Sequence, residues 1–263
     1  MGFSEEFKGK VAVITGGGYG IGKRIALKYA EAGVKLALAG RTTAALEATR
    51  DEIVRMGGQA IAITTDVAKE ADCVRLIKQT VEAFGRLDIL VNNAGIAGPT
   101  KRITETELAE WQETLDVNLT GAWLCSREAL RVMAAQRSGD ILNISSAAGR
   151  IGYPLRAPYA ASKWAMIGLT QTLAREWGSY GIRVNCICPG AVEGERIERV
   201  IRARAEALKL PEEQVRRAFY ADAALERMVT EEEVARVALF LTSSASSGMT
   251  GQTLNVDAGR IMS

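Results

Sequence analysis

The chain of 263 residues is predicted to fold as an α/β protein: one doubly wound domain, 1–263, around a seven-stranded parallel sheet. Seven apolar runs rich in β-branched residues recur along the chain. They are almost continuously apolar rather than alternating, which is typical of parallel strands covered by helices on both faces. The intervals between them, roughly 20 to 45 residues, fit right-handed crossover helices. No linker, repeat or low-complexity tract divides the series.

The predicted strands follow one another at regular intervals, at 10–15, 34–40, 59–64, 87–93, 140–145, 182–188 and 252–257. Between them, segments such as "IGKRIALKYAEAG" and "CVRLIKQTVEAFG" carry apolar residues three and four apart and end on glycine. That spacing predicts amphipathic helices, and a terminal glycine is a common helix stop. The alternation of strand and helix favours a doubly wound, Rossmann-type sheet.

One segment interrupts the alternation. After Pro189 and Gly190, residues 191–228 contain no predicted strand. The segment follows the carboxyl end of the sixth strand, the side on which open α/β sheets bind ligands. We interpret it as a helical lid over a substrate, although a solvated pair of charged helices would give the same pattern.

Composition excludes several functional classes. A net charge of +2 without a basic block gives no indication of nucleic acid or of an anionic membrane as a partner. No apolar stretch approaches the roughly 18 residues of a membrane span, and the acidic amino terminus lacks a signal-like run, so we expect a cytoplasmic protein. Cys186 and Cys188 alternate within a strand, where they are expected to be buried, and no cysteine pair has zinc-ligand spacing.

The chain contains no histidine. This removes the serine–histidine and cysteine–histidine mechanisms and most metal sites, so we expect no metal. If the protein is an enzyme, another side chain must transfer the proton.

A glycine-rich turn, "TGGGYGIG" at 15–22, joins the first strand to the first crossover helix. Gly16, Gly20 and Gly22 permit a tight turn and the close approach of backbone N–H groups to a pyrophosphate at the helix N-terminus. The turn lacks the lysine of a nucleoside-triphosphate loop. Its position after the first strand therefore predicts a dinucleotide site.

"YAASK" at 159–163 places Tyr159 one helical turn before Lys163. Residues four apart share a helix face, so the pair could simply consist of a packed tyrosine and a lysine that extends to solvent. The chemical alternative is a phenol whose pKa the neighbouring ammonium lowers, which makes it a general acid/base near neutral pH.

Six motifs in order decide between these alternatives: the glycine turn, "NNAG" at 92–95, "DVNLTG" at 116–121, "NISS" at 143–146, "YAASK" and "CPG" at 188–190. With them the whole chain resembles the compact form of the short-chain dehydrogenase/reductase family. The resemblance implies an NAD(P)-dependent oxidoreductase that acts on ketones and secondary alcohols, as a homotetramer or a dimer.

The resemblance also implies catalytic roles. Tyr159 corresponds to the general acid/base, Lys163 to its partner, Ser146 to the hydroxyl that orients the carbonyl, and Asn118 to the residue that holds a proton-relay water. Ser145 is the alternative to Ser146, but the spacing of thirteen residues to the tyrosine favours Ser146.

The glycine turn and the resemblance together give the expected dinucleotide contacts, which are Gly16, Tyr19, Gly20, Ile21, Gly22, Arg41, Thr42, Asp66, Val67, Asn93, Ala94, Gly95, Tyr159, Lys163, Pro189, Gly190 and Val192. Within this set Asp66 could instead form only a local turn. Two departures from the family pattern are Gly194, where the family often has a threonine that binds the nicotinamide carboxamide, and Ala258 before Gly259, where Gly-Gly is commoner.

The end of the second strand predicts the choice of dinucleotide. NAD-specific sites place a carboxylate there to bind the ribose 2′-hydroxyl, whereas this chain has Arg41 and Thr42. A guanidinium suits a 2′-phosphate, so we expect NADP(H) in preference to NAD(H). The alternative is that Arg41 stacks on adenine, and Tyr19, which occupies a position that is basic in many NADP enzymes, keeps this alternative open.

The predicted function is therefore the interconversion of a ketone and a secondary alcohol by hydride transfer. An enoyl reductase of the same fold is an alternative that the Tyr-x-x-x-Lys spacing disfavours. A dinucleotide-sensing protein without catalysis is the other, and it would be expected to lose part of the Asn-Ser-Tyr-Lys set.

Arginines are frequent where the family binds substrate, namely Arg150, Arg156, Arg196, Arg199 and Arg202. They could bind an anionic substrate. The acidic residues Glu193, Glu195 and Glu198 interleave with them at helical spacing, however, and this favours a solvated, self-paired helix.

Overall fold

The computed structural model describes residues 3–262, with side chains from residue 5 onward. Its strands are β1 (Val11–Thr15), β2 (Lys35–Gly40), β3 (Ala60–Thr64), β4 (Ile89–Asn92), β5 (Gly139–Ile144), β6 (Ile182–Pro189) and β7 (Thr253–Val256). All pair in parallel in one sheet of order β3-β2-β1-β4-β5-β6-β7, which confirms the predicted seven-stranded parallel sheet.

The α-helices are α1 (Phe3–Phe7), α2 (Gly20–Glu31), α3 (Thr43–Arg55), α4 (Glu70–Phe84), α5 (Leu108–Leu115), α6 (Gly121–Gln136), α7 (Ala157–Trp177), α8 (Glu195–Leu208), α9 (Glu212–Ala218) and α10 (Glu231–Leu241). They cover both faces of the sheet. Alternate residues of β1 show this: Ala12 and Ile14 pack in a cluster with α2 and α10, whereas Val13 packs in another with α4 and α6. A strand buried on both faces is expected to be mostly apolar, as residues 11–14 of β1 are.

The strand order positions the site. β1 lies between β2 and β4, and the chain runs outward from β1 to β3 before it returns to β4 on the other side. Loops that leave the carboxyl ends of β1 and β4 therefore diverge, and an open α/β sheet has its ligand crevice at such a point.

Most strand ends agree with the predicted ones within a residue, but β4 is shorter at its amino end. The peptide of Leu87 is bound on both sides by the Gln136 side chain, whose Oε1 accepts from Leu87 N at 3.1 Å and whose Nε2 donates to Leu87 O at 2.7 Å. The Gln136 side chain thus makes the hydrogen bonds that a neighbouring strand would otherwise make with Leu87, and β4 begins only at Ile89. Cys186 and Cys188 are both fully buried in β6, as expected from the alternation.

The inserted segment 191–228 forms α8 and α9, and a single bridge between Val192 and Val229 closes it. It has a small hydrophobic cluster of its own, built on Ile201, Val215 and Phe219. Tyr153, from the loop before α7, packs against that cluster. The segment is therefore anchored to the edge of the crevice.

Candidate active site

The glycine turn fits closely between β1 and α2. Gly16 and Gly20 have φ of +69° and +54°, a region that side chains with a Cβ rarely adopt. A Cβ on Gly22 would lie 2.2 Å from the carbonyl oxygen of Gly16, so only glycine fits there. The residue before α2, Tyr19, gives no side-chain cap to the helix. The first N–H groups of α2 have no acceptor within the helix, and they are suited to bind an anion such as a pyrophosphate.

The side chain of Asn93, directly after β4, holds this turn in place. Asn93 Nδ2 donates to the carbonyl oxygens of Thr15 at 2.9 Å and Gly16 at 3.3 Å. In return, Thr15 Oγ1 accepts from the backbone N–H groups of Asn93 and Ala94, both at 3.0 Å. Sequence analysis did not include Thr15 among the site residues. The sequence feature that could have identified Thr15 is its hydroxyl at the end of an otherwise apolar strand.

Asn118 lies fully buried in a π-helical turn, Asp116–Thr120, between α5 and α6. Its Oδ1 accepts from Ile96 N at 2.7 Å, and its Nδ2 donates to Ile96 O at 3.1 Å and to Ser162 Oγ at 3.1 Å. Turns of this kind are frequent at functional sites. The contacts join α7 to the backbone that follows β4, and Ser162 is a second residue that sequence analysis missed.

Lys163 is 3 % exposed, and its Nζ donates to Ile144 O at 2.8 Å. Burial lowers the pKa of the lysine, and the neighbouring Tyr159 phenol opposes that shift. The backbone after β4 approaches the lysine at Gly95, where a Cβ would lie 3.7 Å from Lys163 Nζ. Lys163 therefore lies between the crevice and the sheet.

The two serines at the end of β5 have different surroundings. Ser145 is buried, and its Oγ donates to the carbonyl oxygen of Lys163 at 2.7 Å. Ser146 instead forms a hydrogen bond with the Tyr159 side chain. The structure thus brings Ser146, Tyr159 and Lys163 together and directs Ser145 into the fold.

Tyr159 is the partly buried centre of this group, and its ring centroid lies 5.8 Å from Lys163 Nζ. Burial by itself raises the pKa of the phenol. The positive charges of Lys163 and Arg196 and the Ser146 hydrogen bond outweigh it, so the pKa falls below the ordinary value of 10.0. The arrangement can therefore stabilise a phenolate next to the crevice.

The remaining expected contacts surround the same crevice. Arg41 and Thr42 are exposed directly after β2, and Tyr19 is 63 % exposed on the glycine turn. Asp66 Oδ1 accepts from Ala68 N at 3.2 Å, which is the local turn considered above. Val67 is buried, and its side chain lies against Gly121.

Further contacts were expected around the carboxyl end of β6. Pro189 is the last residue of β6, and the next residue, Gly190, packs on the backbone of Asp257, where a Cβ would lie 2.8 Å from its Cα. Val192 forms the bridge to Val229 that closes the inserted segment, and Ile21 packs from the glycine turn against the hydrophobic cluster beneath.

The backbone explains one departure from the family pattern. Gly194 has φ of +133°, so a threonine there would be strained, and the space beside it contains the Glu231 carboxylate, 3.1 Å from where a Cβ would lie. At the other departure, Ala258 and Gly259 have φ of +58° and +79°. Ala258 adopts this left-handed conformation despite its Cβ.

The five predicted arginines separate into groups. Arg199 forms an ion pair with Glu195 at 3.5 Å, as expected of a self-paired helix, and Arg202 is exposed. Arg156 instead lies against Tyr159, its Cζ 5.1 Å from the ring centroid, and the charge of Arg196 also lowers the pKa of that phenol. Arg150 is half-buried directly after the turn Ala147–Gly149.

Comparison with known proteins agrees with this geometry. Residues 16–260 match a family model described as Enoyl-(Acyl carrier protein) reductase. An uncharacterized oxidoreductase of Thermotoga maritima is 43% identical over 253 residues, which cover 96% of this chain and 98% of that protein. A 3-oxoacyl-[acyl-carrier-protein] reductase of Synechocystis is 39% identical over 255 residues, 96% of this chain and 97% of that protein. The chain belongs to the short-chain dehydrogenase/reductase family.

Solved structures of other short-chain dehydrogenases/reductases superpose closely. NAD+-bound xylitol dehydrogenase matches with a TM-score of 0.94 and 32% identity over 97% of this chain and 100% of the other. Levodione reductase matches with a TM-score of 0.92 and 31% identity over 96% and 98%. This short-chain dehydrogenase/reductase is thus an oxidoreductase with an NAD(P) cofactor. Among the described residues, no group of three metal-ligating side chains occurs, and no helix has the length and hydrophobicity to cross a membrane.

Proposed function

We propose that this enzyme interconverts a ketone and a secondary alcohol, with Tyr159 as the general acid/base. The observation that carries the proposal is the convergence of Ser146 and Lys163 on the Tyr159 phenol, whose pKa is lowered although burial opposes that shift. A binding protein that only senses dinucleotide would have no need of a tuned phenol. The 3-oxoacyl reductase and the two dehydrogenase and reductase structures support a carbonyl or alcohol substrate.

Each residue has a step that its contacts suit. Ser146 donates a hydrogen bond to the substrate oxygen, and Tyr159 gives its proton to that oxygen during reduction or accepts it during oxidation. Lys163, held by Ile144 O, stabilises the phenolate through its charge. Asn118, with both side-chain atoms bonded to Ile96, keeps the backbone of the crevice in place beside α7.

The dinucleotide, when bound, supplies or accepts the hydride. The residues present fit it: an uncapped helix start follows a turn in which a Cβ at Gly16 or Gly22 would clash. The N–H groups at the start of α2 would bind the pyrophosphate, and Ala94 and Gly95 would lie along the nicotinamide ribose. Asp66 and Val67 would border the adenine.

We further propose that NADP(H) is preferred. Arg41 is exposed at the end of β2 with no acidic residue at 40–42 to repel a 2′-phosphate, and Thr42 adds a hydroxyl beside it. The similar xylitol dehydrogenase structure holds NAD+, so the preference for NADP(H) rests on these two side chains and not on the fold. We propose in addition a homotetramer of single-domain subunits 1–263, located in the cytoplasm, with residues 191–228 as the substrate lid.

The test of the reaction is dinucleotide oxidation with a broad panel of ketones and enones. We expect ketones to be reduced and Tyr159→Phe to lower kcat by about 10³-fold or more while the Kd for dinucleotide stays within a few fold, because only proton transfer depends on the hydroxyl. Tyr180→Phe, an exposed tyrosine at the end of α7, is the matched control. Near wild-type turnover by Tyr159→Phe would exclude the role.

The same panel separates the alternatives. An enoyl reductase is favoured by the description of the family model, and it would reduce the carbon–carbon double bond of the enones and leave ketones unchanged. A sensing protein would bind dinucleotide and reduce neither.

For the dinucleotide, Arg41→Ala is expected to weaken NADPH binding about tenfold or more and NADH binding little, with Arg55→Ala at the end of α3 as the control. A wild-type preference for NADH would overturn this part.

A further inference from the structure

Four guanidinium groups gather around Tyr153 and Tyr159 at the entrance of the crevice. They come from separate parts of the chain, and they belong to Arg156, Arg196, Arg204 and Arg260. Arg204 and Arg260 were not among the arginines expected from the sequence. We call this group the arginine cluster.

Arg156 is the most buried member, at 4 % exposure. Its Cζ lies 5.1 Å from the centroid of the Tyr159 ring and 6.0 Å from that of Tyr153, and its Nη2 donates to Ala97 O at 2.6 Å. Its Nε is buried without any hydrogen-bond partner among the described residues. Burial lowers the pKa of this guanidinium, and the charges of Arg196 and Arg204 add to that shift.

Arg204 and Arg260 line a cavity of about 90 Å³ next to Tyr153, together with Pro154, Val215 and Phe219. The Arg204 Cζ lies 5.7 Å from the centroid of the Tyr153 ring. The volume equals that of about three liquid water molecules, so the cavity accommodates a small polar group. Arg196 completes the cluster from α8, where its Nη1 donates to Gly95 O at 2.9 Å.

No carboxylate among the described side chains forms an ion pair with any member of the cluster, although several other arginines of the inserted segment are paired. Arg216 pairs with Glu198 at 2.5 Å, and Arg199 pairs with Glu195. The Asp257 carboxylate, close to Arg260 in sequence, accepts from three backbone N–H groups instead, those of Gly259, Arg260 and Ile261. The titratable groups that act most strongly on Arg156 are therefore the phenols of Tyr153 and Tyr159 and then the guanidiniums of Arg196 and Arg204, and none of these is a carboxylate.

A group of four guanidiniums with no acid, one of them buried with an unused donor, costs free energy in the absence of an anion. We infer that the substrate is a small ketone, or the corresponding alcohol, that carries a carboxylate, phosphate or sulfonate, and that the arginine cluster binds this anionic group while the carbonyl lies at Tyr159. The inference rests on the proposed function and specifies its substrate class. Guanidinium forks bind all three anions in the same bidentate way.

A second source of negative charge would be a carrier protein with an acidic surface, and the name of the reductase relative includes an acyl-carrier protein. The burial of Arg156 and the small volume of the cavity, about 90 Å³, favour a small molecule, because a protein partner would engage exposed cations on the surface.

The experiment compares kcat/KM for short 3-, 4- and 5-oxocarboxylates with that for their methyl esters, and for phosphonate and sulfonate analogues of equal length. We expect one chain length of the anionic ketones to exceed its neutral match by about 100-fold, since a charge-assisted pair contributes that order of discrimination. Arg204→Met and Arg260→Met should each lower this ratio by about tenfold or more through the anionic substrate alone. Arg199→Met, on the same helix and paired with Glu195, is the matched control and should leave the ratio unchanged.

Equal efficiency toward charged and neutral ketones would overturn the inference and leave the proposed reaction intact. Reduction of no ketone at all would instead remove the proposed function, and the inference with it. Efficient reduction of a 3-oxoacyl group only when it is attached to an acidic carrier protein would assign the cluster to that partner and would also overturn the inference. The carboxylate, phosphonate and sulfonate series identify which anion is the natural one.

Discussion

Two largely buried arginines lie at opposite ends of the strands of the sheet, which we call the amino edge and the carboxyl edge. Their surroundings differ. Arg183, at the amino end of β6, pairs with Asp140 at 2.7 Å and donates to the carbonyl oxygens of Ser246, Met249 and Ser243. Arg156, at the carboxyl edge, has one backbone acceptor and an unused Nε. The fold supplies Arg183 with an ion-pair partner and several hydrogen-bond acceptors, whereas it leaves one N–H donor of Arg156 without an acceptor among the described residues.

This difference separates a structural charge from a functional one. A buried ion pair with its hydrogen bonds complete depends on both partners, so removal of one destabilises the fold. A buried charge without a partner costs stability, and it persists where function requires it. The comparison therefore predicts opposite outcomes for the same substitution at the two edges.

The largest effect is expected at the amino edge. Arg183→Met leaves the largely buried Asp140 carboxylate without its ion-pair partner and removes the guanidinium bonds to the carbonyl oxygens of Ser243, Ser246 and Met249, so the free energy of unfolding should fall by about 3–5 kcal/mol. Urea denaturation at neutral pH measures this. A loss below about 1 kcal/mol, close to that of an exposed pair, would mean that Arg183 is no more structural than a surface arginine.

The partner residue gives a pH dependence. Burial raises the pKa of Asp140 from its ordinary value of 3.8 to about 6, although the Arg183 charge opposes the shift. A folded-state pKa above the unfolded one means that the folded state binds the proton more tightly, so this group's contribution to stability falls as pH rises from 3.8 toward 6. The Asp140→Asn variant lacks the titrating carboxyl and therefore lacks this pH-dependent contribution to stability.

We therefore expect the stability of Asp140→Asn relative to wild type to increase by about 2 kcal/mol from about pH 4 to about pH 7. The measurement is urea unfolding of both proteins across that range. A difference that does not vary with pH would place the Asp140 pKa near its ordinary value.

At the carboxyl edge the same substitution should have the opposite sign. Arg156→Met retains the apolar stem and removes a buried charge that Arg196 and Arg204 repel. The free energy of unfolding should stay constant or rise by up to about 1–2 kcal/mol. If Arg156→Met destabilises the protein as much as Arg183→Met does, the contrast between the two edges fails.

The smallest effect concerns a carboxylate at the carboxyl edge. Glu231 Oε1 lies 3.4 Å from where a Cβ of Gly20 would be, beside the turn that we propose binds the pyrophosphate. Burial raises the pKa of Glu231, and the neighbouring cations Arg24 and Lys23 oppose that shift. Once ionised, the carboxylate should repel a bound dinucleotide.

Glu231→Gln is therefore expected to tighten NADPH binding by about threefold, a difference of less than about 1 kcal/mol, because the pair is partly screened. Affinity of the wild type should fall as pH rises through the raised pKa of Glu231, and that part of the dependence should vanish in the variant. Fluorescence titration measures both. Glu232→Gln, whose carboxylate pairs with Lys28 and Arg236, is the control. Weaker binding by Glu231→Gln would reverse the assigned sign.

Much of the fold was accessible from sequence because the signals are local. Continuous apolar runs predicted the seven strands, since a strand covered on both faces has no polar side to show. The exception at β4 depends on Gln136, a side chain distant in sequence, which binds the peptide of Leu87. No local pattern contains that contact.

The residues of the candidate site likewise divide into those that local sequence reveals and those that depend on contacts between distant parts of the chain. The glycine turn and the Tyr159–Lys163 pair are readable because their geometry is fixed within one turn or one helix. Thr15 and Ser162 were missed because their role appears only when β1 meets β4 and α7 meets Asn118. The choice between Ser145 and Ser146 rested on a spacing, and the structure gives the two hydroxyls different partners.

The sequence by itself determined the fold class, the position of the glycine turn and the Tyr159–Lys163 pair, because apolar periodicity and helical spacing act over a few residues. Only the tertiary structure decided which charges are paired. From the sequence, the lid arginines belong to a self-paired helix, and the fold pairs some of them as expected. It brings Arg204 and Arg260, which are distant in sequence, to one cavity without an acid. Pairing of charges depends on distance in space, and for residues on separate elements only the packing of the chain sets that distance.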